Sequence, residues 1–421
     1  MTNALLRQLS AADFPDVPRG GVDSVTEVGA ASIVADVREG GVDAMLQYAA
    51  RFDGWTPGQT WLFGRAEMHR ALEGLEGSTR GVLERTAARI ASFARAQRSA
   101  LRDITVPVPG GQAGHAVVPM ERAGCYAPAG RFPLPSSLLM TAVTARAAGV
   151  ADVVVATPNP GPLMLATAAI AGADFVLGVG GAQAIAAMAY GVGVPACDIV
   201  VGPGNRWVTA AKKAVAGHVA IDMLAGPSEL VVVADSSADA AMVASDLLAQ
   251  AEHDPDAFTA LVTTEPSLVA AVERELENQL RTLPTASIAR AALGNGIAVV
   301  CRDLDEVVSV CDRLAPEHLQ LSVLEPDALA ARCRHYGACF VGERSAEVFG
   351  DYGIGGNHVL PTGRGARFTG GLSALTFVRV RSWLRLDTAD AVVSDVSALA
   401  RMEGLEAHAR AAERRSRSPA R

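Results

Sequence analysis

From Arg122 onward the chain repeats one pattern, a short apolar run followed by an Ala-rich helical stretch. The runs fall at residues 124–127, 152–156, 174–177 and 198–201, and the helical stretches at 137–148, 163–171, 182–190 and 206–216. Strand and helix alternating at this interval leave few folds open: the strands lie parallel and the crossovers are right-handed. A second set follows, with runs at 230–234, 259–263, 297–301 and 338–341 and helices at 238–252, 266–281 and 304–313. The pattern predicts two α/β units of similar build in tandem, the mark of an internal duplication.

Residues 1 to about 105 read differently. Apolar residues recur at three- and four-residue spacing over 25–52 and 66–101, punctuated by Asp53-Gly54 and Pro57-Gly58, so this part is expected to be a helical layer without chemistry of its own. At the other end, a Gly-rich stretch at 350–371 is too long to be ornament in a compact enzyme, and an amphipathic helical segment runs from about 389 to 414. The divisions drawn are an N-terminal helical segment (1–120), a first α/β domain (121–227), a second (228–349), and a Gly-rich loop with a C-terminal tail (350–421).

Composition narrows the function class. A chain of 421 residues, 50% apolar and 19% charged, suits a well-packed globular enzyme of more than one domain. Its net charge of −8 argues against a nucleic-acid surface, the basic tail from Arg414 to Arg421 notwithstanding. There is no basic leader running into an apolar core at the start, and no apolar run of the ~18 residues a membrane span needs, so the expected location is the cytoplasm. Six cysteines (Cys125, Cys197, Cys301, Cys311, Cys333, Cys339) form no C-x-x-C pair, which indicates neither a disulfide framework nor a thiolate metal site. Lys212 and Lys213 are the only lysines among 37 basic residues, so Schiff-base chemistry has almost nothing to work with.

Several motifs carry polar groups suited to chemistry. In AQAEHDP (249–255), Gln250 and His253 stand three apart, which on a helix places both on one face. They can share a divalent metal, or simply form a polar helix end facing water. GVGGAQA (178–184) and GPGN (202–205) put glycines at strand ends, where a backbone can approach a phosphate or merely turn; neither matches G-x-G-x-x-G. APEHL (315–319) sets Glu317 beside His318, a base titrating near neutrality if the pair is not a surface turn. GDYGIGGNHVLPT (350–362) offers Asp351 and His358 on a loop able to wrap a ligand, and EGLEAH (403–408) holds Glu403 and His408, which one unbroken helix would not aim the same way. Gly404 permits a break between them.

Together these segments, with IDMLAGPSE (221–229) and in this order, resemble the histidinol dehydrogenase family over about three quarters of the chain, from Arg122 to the C-terminal helix. The resemblance implies a fold of two tandem incomplete Rossmann-like parallel-sheet units with an N-terminal helical layer and a C-terminal helical tail, assembled as an intertwined homodimer. It implies oxidation of L-histidinol to L-histidine through an aldehyde, with two NAD+ consumed and one Zn2+ per site. Zinc ligands would be Gln250, His253, Asp351 and His408, the last from the partner subunit. NAD contacts would fall on Tyr126, Gln183 and Asn205, and substrate contacts on Ser228, His318, His358, Glu403 and the zinc ligands. Glu317 and His318 would be the catalytic pair.

The chain also departs from the family's usual pattern. The loop YAPAGRFPLPSS (126–137) carries Ala129, Arg131 and Leu134 where cofactor or substrate is expected, the segment 366–383 differs, and Asp312 replaces a common Asn. A paralogue oxidising another primary alcohol, such as a sulfonated diol met by Arg131 or a modified amino alcohol, would look similar. A non-redox zinc protein or metallohydrolase on this frame would have no use for Tyr126, Gln183 and Asn205. Cys125 beside Tyr126 invites a thiohemiacetal, with no base near it in sequence to activate the thiol.

Overall fold

The computed structural model describes residues 4–14, 21–129 and 133–416. Arg131 lies outside the described residues. Two six-stranded sheets and one three-stranded sheet organise the molecule.

The first sheet is built from β2 (Leu62–Gly64), β5 (Arg122–Tyr126), β6 (Asp152–Ala156), β7 (Phe175–Leu177), β8 (Ile199–Val201) and β9 (Ala220–Ile221), in the order β2-β7-β6-β5-β8-β9. All pairings are parallel except that of β2 with β7. The second sheet contains β1 (Arg7–Ser10), β10 (Glu229–Ala234), β11 (Phe258–Thr263), β12 (Ile297–Val300), β13 (His318–Ser322) and β14 (Ala338–Val341). Its order is β1-β12-β11-β10-β13-β14, parallel throughout. Runs such as DVVVA in β6 and ELVVVA in β10 are continuously apolar because helices cover both faces.

On one face of the first sheet pack α2 (Arg65–Glu73), α3 (Gly77–Ala100), α4 (Pro135–Ala148) and α5 (Pro162–Ala171), around Met68, Ile90, Leu138 and Met140. On the other lie α1 (Ser24–Phe52), α6 (Gly181–Tyr190) and α7 (Arg206–Val215), around Val37, Met45, Ile185 and Met188. The second sheet is covered by α8 (Ala240–Ala251), α9 (Pro266–Leu280) and α10 (Ala286–Leu293) on one side and by α11 (Leu304–Leu314) and α12 (Pro326–Ala330) on the other. A strand residue such as Val232, wholly buried between such layers, contributes ~1.5–3 kcal/mol by leaving water.

The N-terminal region is not purely helical. Its helices form as expected, α1 kinking at Gly41 and the second run breaking at Gly74 into α2 and α3, but β1 and β2 also come from it. Both are edge strands whose exposed faces lack the alternation that would mark them; they form because a sheet edge is otherwise open. The N–H groups of Leu5 and Leu6 anchor β1 by donating to the Glu273 carboxylate at 2.9 and 2.7 Å. A Pro109-Gly110 turn, with Gly110 at φ +82°, joins β3 (Ile104–Val108) to β4 (Gly111–Pro119). β4 pairs antiparallel with β3 on one side and with the distant β15 (Val378–Leu386) on the other, a sheet that the strand–helix alternation does not predict. The chain ends in the hairpin α14 (Val393–Met402) and α15 (Glu406–Glu413), broken at Gly404 with φ +75°, and α13 (Glu347–Asp351) precedes the Gly-rich loop. Among the described residues no helix is long and apolar enough to cross a membrane.

Candidate active site

In both large sheets the chain steps outward from the first strand to the second and third, then returns to the first strand's other side. That reversal opens a crevice beside β5 and another beside β10. Tyr126 ends β5, GVGG leads from β7 into α6, and GPGN leads from β8 into α7, so the glycine motifs line the carboxyl edge of the first sheet. The Tyr126 hydroxyl accepts a hydrogen bond from the Gly181 N–H at 3.1 Å, and burial pushes its ionisation up to about 12. Gln183 is buried, its Nε2 donating to Asp53 Oδ2 at 3.2 Å. Asn205 is exposed and caps α7, its Oδ1 accepting from the N–H groups of Trp207 and Val208 at 3.0 and 3.2 Å. Gly202, at φ +119°, allows no side chain, because a Cβ there would lie 2.1 Å from the Tyr126 carbonyl oxygen. Its own carbonyl accepts from Lys212 at 3.0 Å, and that buried lysine is ion-paired with Asp222. Two helix N-termini over a glycine-cleared edge fit an anionic dinucleotide.

The second cluster stands at the opposite end of its strands. Glu317 and His318 open β13 at its amino end, next to the start of β10, where Leu230 is in register with His318. The Glu229 carbonyl faces His318 Nδ1 at 3.0 Å; a carbonyl only accepts, so Nδ1 carries the proton and Nε2 keeps its lone pair. That Nε2 is buried without a hydrogen-bond partner, 3.8 Å from Asp351 Oδ1. Burial pulls the imidazole down to about 4, so it is neutral at physiological pH. Glu317 Oε2 accepts from the Glu229 N–H at 2.9 Å, and Glu229 returns the bond, accepting from the Glu317 N–H at 3.3 Å and the Gly363 N–H at 2.8 Å. Ser228, immediately before β10, faces Glu317 and favours its charged form. Desolvation raises both carboxyls, Glu229 to about 7 and Glu317 well above the ordinary range.

Three further elements close on this edge. Gln250 is fully buried near the end of α8, with neither Oε1 nor Nε2 given a hydrogen-bond partner. His253 is not on that helix: Pro255 forces Asp254 out of helical geometry, α8 stops at Ala251, and His253 sits in the following turn, its N–H reaching the Gln250 carbonyl at 3.3 Å. The expected helical i, i+3 face is thus replaced by a helix end and a turn. His253 Nε2 lies 3.5 Å from Asp351 Oδ2 on α13, a contact that raises the imidazole above its usual value. Burial alone would raise Asp351, but the hydrogen bond from His253 and the neighbouring imidazoles hold it below the ordinary carboxylate value. The Asp351 carbonyl accepts from His358 Nδ1 at 2.9 Å, turning His358 Nε2 to Ser137 Oγ on α4 at 3.4 Å. Through that contact the Gly-rich loop, which closes on the amino edge of the second sheet, also touches the start of α4 at the carboxyl edge of the first.

Glu229, Glu347 and Asp53 were not singled out in the sequence. Glu347 is buried one turn before Asp351, its Oε1 3.6 Å from His318 Nδ1 and its Oε2 without a partner. Glu347 and Asp351 at i, i+4 before a Gly-rich loop were the available signal. Ligand atoms of His253, Glu347 and Asp351 lie within 4.8 Å of one another, and the orphaned Gln250 amide stands beside this edge on α8. Nitrogen and oxygen donors so arranged fit a divalent ion such as zinc. Glu403 and His408 are not gathered there; both are exposed on the C-terminal hairpin. Cys125 is fully buried and its thiol is pushed up to about 12, which removes it as a nucleophile. Asp312 holds backbone, its Oδ1 accepting from the Arg334 and His335 N–H groups at 2.8 and 3.2 Å.

A neutral buried histidine among carboxyls, set where two dinucleotide-type sheets meet edge to edge, is the build of an α/β dehydrogenase. The family model described as histidinol dehydrogenase matches residues 20–416. The histidinol dehydrogenase of Bordetella parapertussis is 40% identical over 407 residues, 94% of this chain and 92% of the relative. That of Parasynechococcus marenigrum is 44% identical over 393 residues, 91% of this chain and 89% of the relative. The crystal structure of histidinol dehydrogenase from Elizabethkingia anophelis matches with a TM-score of 0.91 at 29% identity, covering 99% of both chains. The chain belongs to the histidinol dehydrogenase family.

Proposed function

We propose that this chain oxidises L-histidinol to L-histidine through histidinal, using zinc and two equivalents of NAD+, as a cytoplasmic homodimer with shared sites. The observation that carries this reading is His318, whose Nδ1 is committed to the Glu229 carbonyl while its Nε2 lone pair stays unpartnered 3.8 Å from Asp351.

Gln250, His253 and Asp351 would hold the metal, with the partner subunit's His408 completing the set. Bound zinc would hold and orient the substrate, and bound NAD+ would take up two electrons in each oxidation. His318 Nε2 takes the alcohol proton, as a neutral imidazole can. Glu317, whose proton affinity is raised by burial, draws a proton from the water that adds to the aldehyde carbon, and His318 assists again in the second oxidation. Ser228 and His358 flank the substrate from the two sides of the pocket, and the partner subunit's Glu403 contacts it from the tail. Tyr126, Gln183 and Asn205 bind the dinucleotide. An enclosed pocket keeps a reactive amino aldehyde from escaping between steps.

Two surface features support the dimer. β15 exposes Val380, Trp383, Leu384 and Leu386, and the hairpin that carries Glu403 and His408 exposes Val396, Leu399, Met402 and Leu405. Apolar area of this extent calls for a covering partner. The Asp351 carboxylate, held below its ordinary value, favours a cationic amino alcohol over a sulfonated one. The test is turnover by zinc-loaded protein with NAD+ and L-histidinol. Two NADH per histidinol, with histidine as product, is the expected result; no NADH from protein that binds both zinc and NAD+ would move the substrate to another primary alcohol.

A further inference from the structure

Asp53 is the last residue anyone would place at the end of α1 for that helix's own sake. It is the C-cap, where the helix dipole is negative and a carboxylate is disfavoured. Its partners lie elsewhere. Asp53 Oδ2 accepts from the Gly180 N–H at 2.9 Å and from Gln183 Nε2 at 3.2 Å, both at the start of α6, where the dipole is positive. The Asp53 carbonyl is itself held, accepting from Asn159 Nδ2 at 2.5 Å. Fit on the far side is close: a Cβ on Gly180 would come within 2.9 Å of Asp53 Oδ1. Because an ionised carboxylate only accepts, it decides which end of the Gln183 amide faces it, and the carbonyl end is left toward Gly181.

We propose that Asp53, from the N-terminal layer, is a positioning residue for the cofactor, fixing the Gln183 amide and the glycine turn in the orientation that meets the dinucleotide. The inference rests on the reading that Gln183 contacts NAD+. It gives the N-terminal layer a part in the site. The cap residue of the layer's first helix reaches the carboxyl edge of the first sheet, and the tight turn at Gly54, φ +72°, lets the chain leave immediately after.

The test measures NAD+ binding to the zinc-loaded dimer by calorimetry without alcohol, beside steady-state kinetics. Asp53→Ala is expected to weaken NAD+ binding about tenfold, the loss of a charge-assisted pair of hydrogen bonds. The KM for NAD+ rises in step while kcat at saturating NAD+ and the KM for the alcohol hold, a split that general loosening of the fold would not give. Asp53→Asn, of the same shape and with one acceptor left, is expected to lose about threefold, and it serves if the alanine variant does not fold. Adding Asp53→Ala to Gln183→Ala should cost less than it does in the wild type, since part of its effect runs through Gln183 and only the hold on the Gly180 N–H remains to be lost. Unchanged NAD+ affinity in both Asp53 variants, or full additivity in the double variant, overturns the proposal while leaving the cofactor reading intact. A wild-type protein that binds no NAD+ overturns the cofactor reading, and this inference with it.

Discussion

The two large sheets run through the same permutation: an edge strand from the N-terminal region, then the third, second, first, fourth and fifth strands of a βα series. Their working edges are nevertheless opposite. In the first sheet the candidate residues gather at the carboxyl edge, where α6 and α7 begin; in the second they gather at the amino edge, where α8 ends and β10 and β13 start. Helix starts present unpaired N–H groups and partial positive charge, and helix ends present carbonyls and partial negative charge. One architecture therefore supplies an edge suited to an anionic cofactor and an edge suited to a cation, and the Ser137–His358 contact joins them. Duplication of a fold need not duplicate its binding edge.

The prediction with the largest effect tests whether the amino edge alone holds the base. His318→Ala is expected to lower kcat by about 10³- to 10⁴-fold, while NAD+ affinity at the other edge, measured by calorimetry, stays at the wild-type value. A variant retaining more than about a tenth of wild-type kcat would lie outside the range for loss of a general base and would move that role to another residue. Loss of NAD+ binding along with kcat would mean that the two edges are not separable.

This asymmetry was only partly legible in the sequence. The strand–helix alternation gave the two units, because parallel strands covered on both faces must be continuously apolar, as DVVVA and ELVVVA are. β1 and β2 are not legible because edge strands have no buried face to impose a pattern, and the β3–β4 hairpin is not because its small sheet buries little on either face. β13 escaped because Glu317 and His318 look like a loop, and they stay buried only through the reciprocal bonds with Glu229. The motifs named the segments that carry Gln250, His253, Asp351 and His358, but local spacing does not encode which strand ends meet. Glu347 and Asp53 act through partners 29 and 130 residues away, His318 and Gln183. No local reading could pair them.

A second prediction turns on the charge each edge keeps out of water. The first sheet's edge is lined by glycine and backbone with the Asp53 carboxyl beside them, whereas the second's gathers Glu229, Glu317 and Glu347, all raised by burial. Glu229 is raised to about 7, so the folded state keeps a proton that the unfolded chain loses near the ordinary carboxyl value. Stability from this group is full below the unfolded value and is lost as pH rises through about 7. For Glu229→Gln that dependence disappears. Denaturant unfolding compared at pH 5 and pH 8 should show the wild type losing up to about 3 kcal/mol more than the variant. Equal pH slopes would show that the Glu229 carboxylate finds solvent or a cation in the folded protein, and the contrast between the edges would shrink to geometry.

The smallest expected effect lies at the first sheet's edge, in Tyr126→Phe. The substitution keeps the ring that ends β5 and removes only the hydroxyl that accepts the Gly181 N–H at 3.1 Å. Tyr126 is buried, so that N–H loses a neutral acceptor without gaining water, a cost of about 1 kcal/mol in stability. Asp53 offers a charged acceptor one residue earlier, at Gly180, so the turn stays held on that side and NAD+ affinity should fall only about two- to fivefold, less than for Asp53→Ala. An affinity loss equal to that of Asp53→Ala would make the tyrosine hydroxyl, and not the carboxylate from the N-terminal layer, the principal hold on the glycine turn. The first sheet would then assemble its working edge from its own strands, as the second brings Glu317 and His318 together with Glu229.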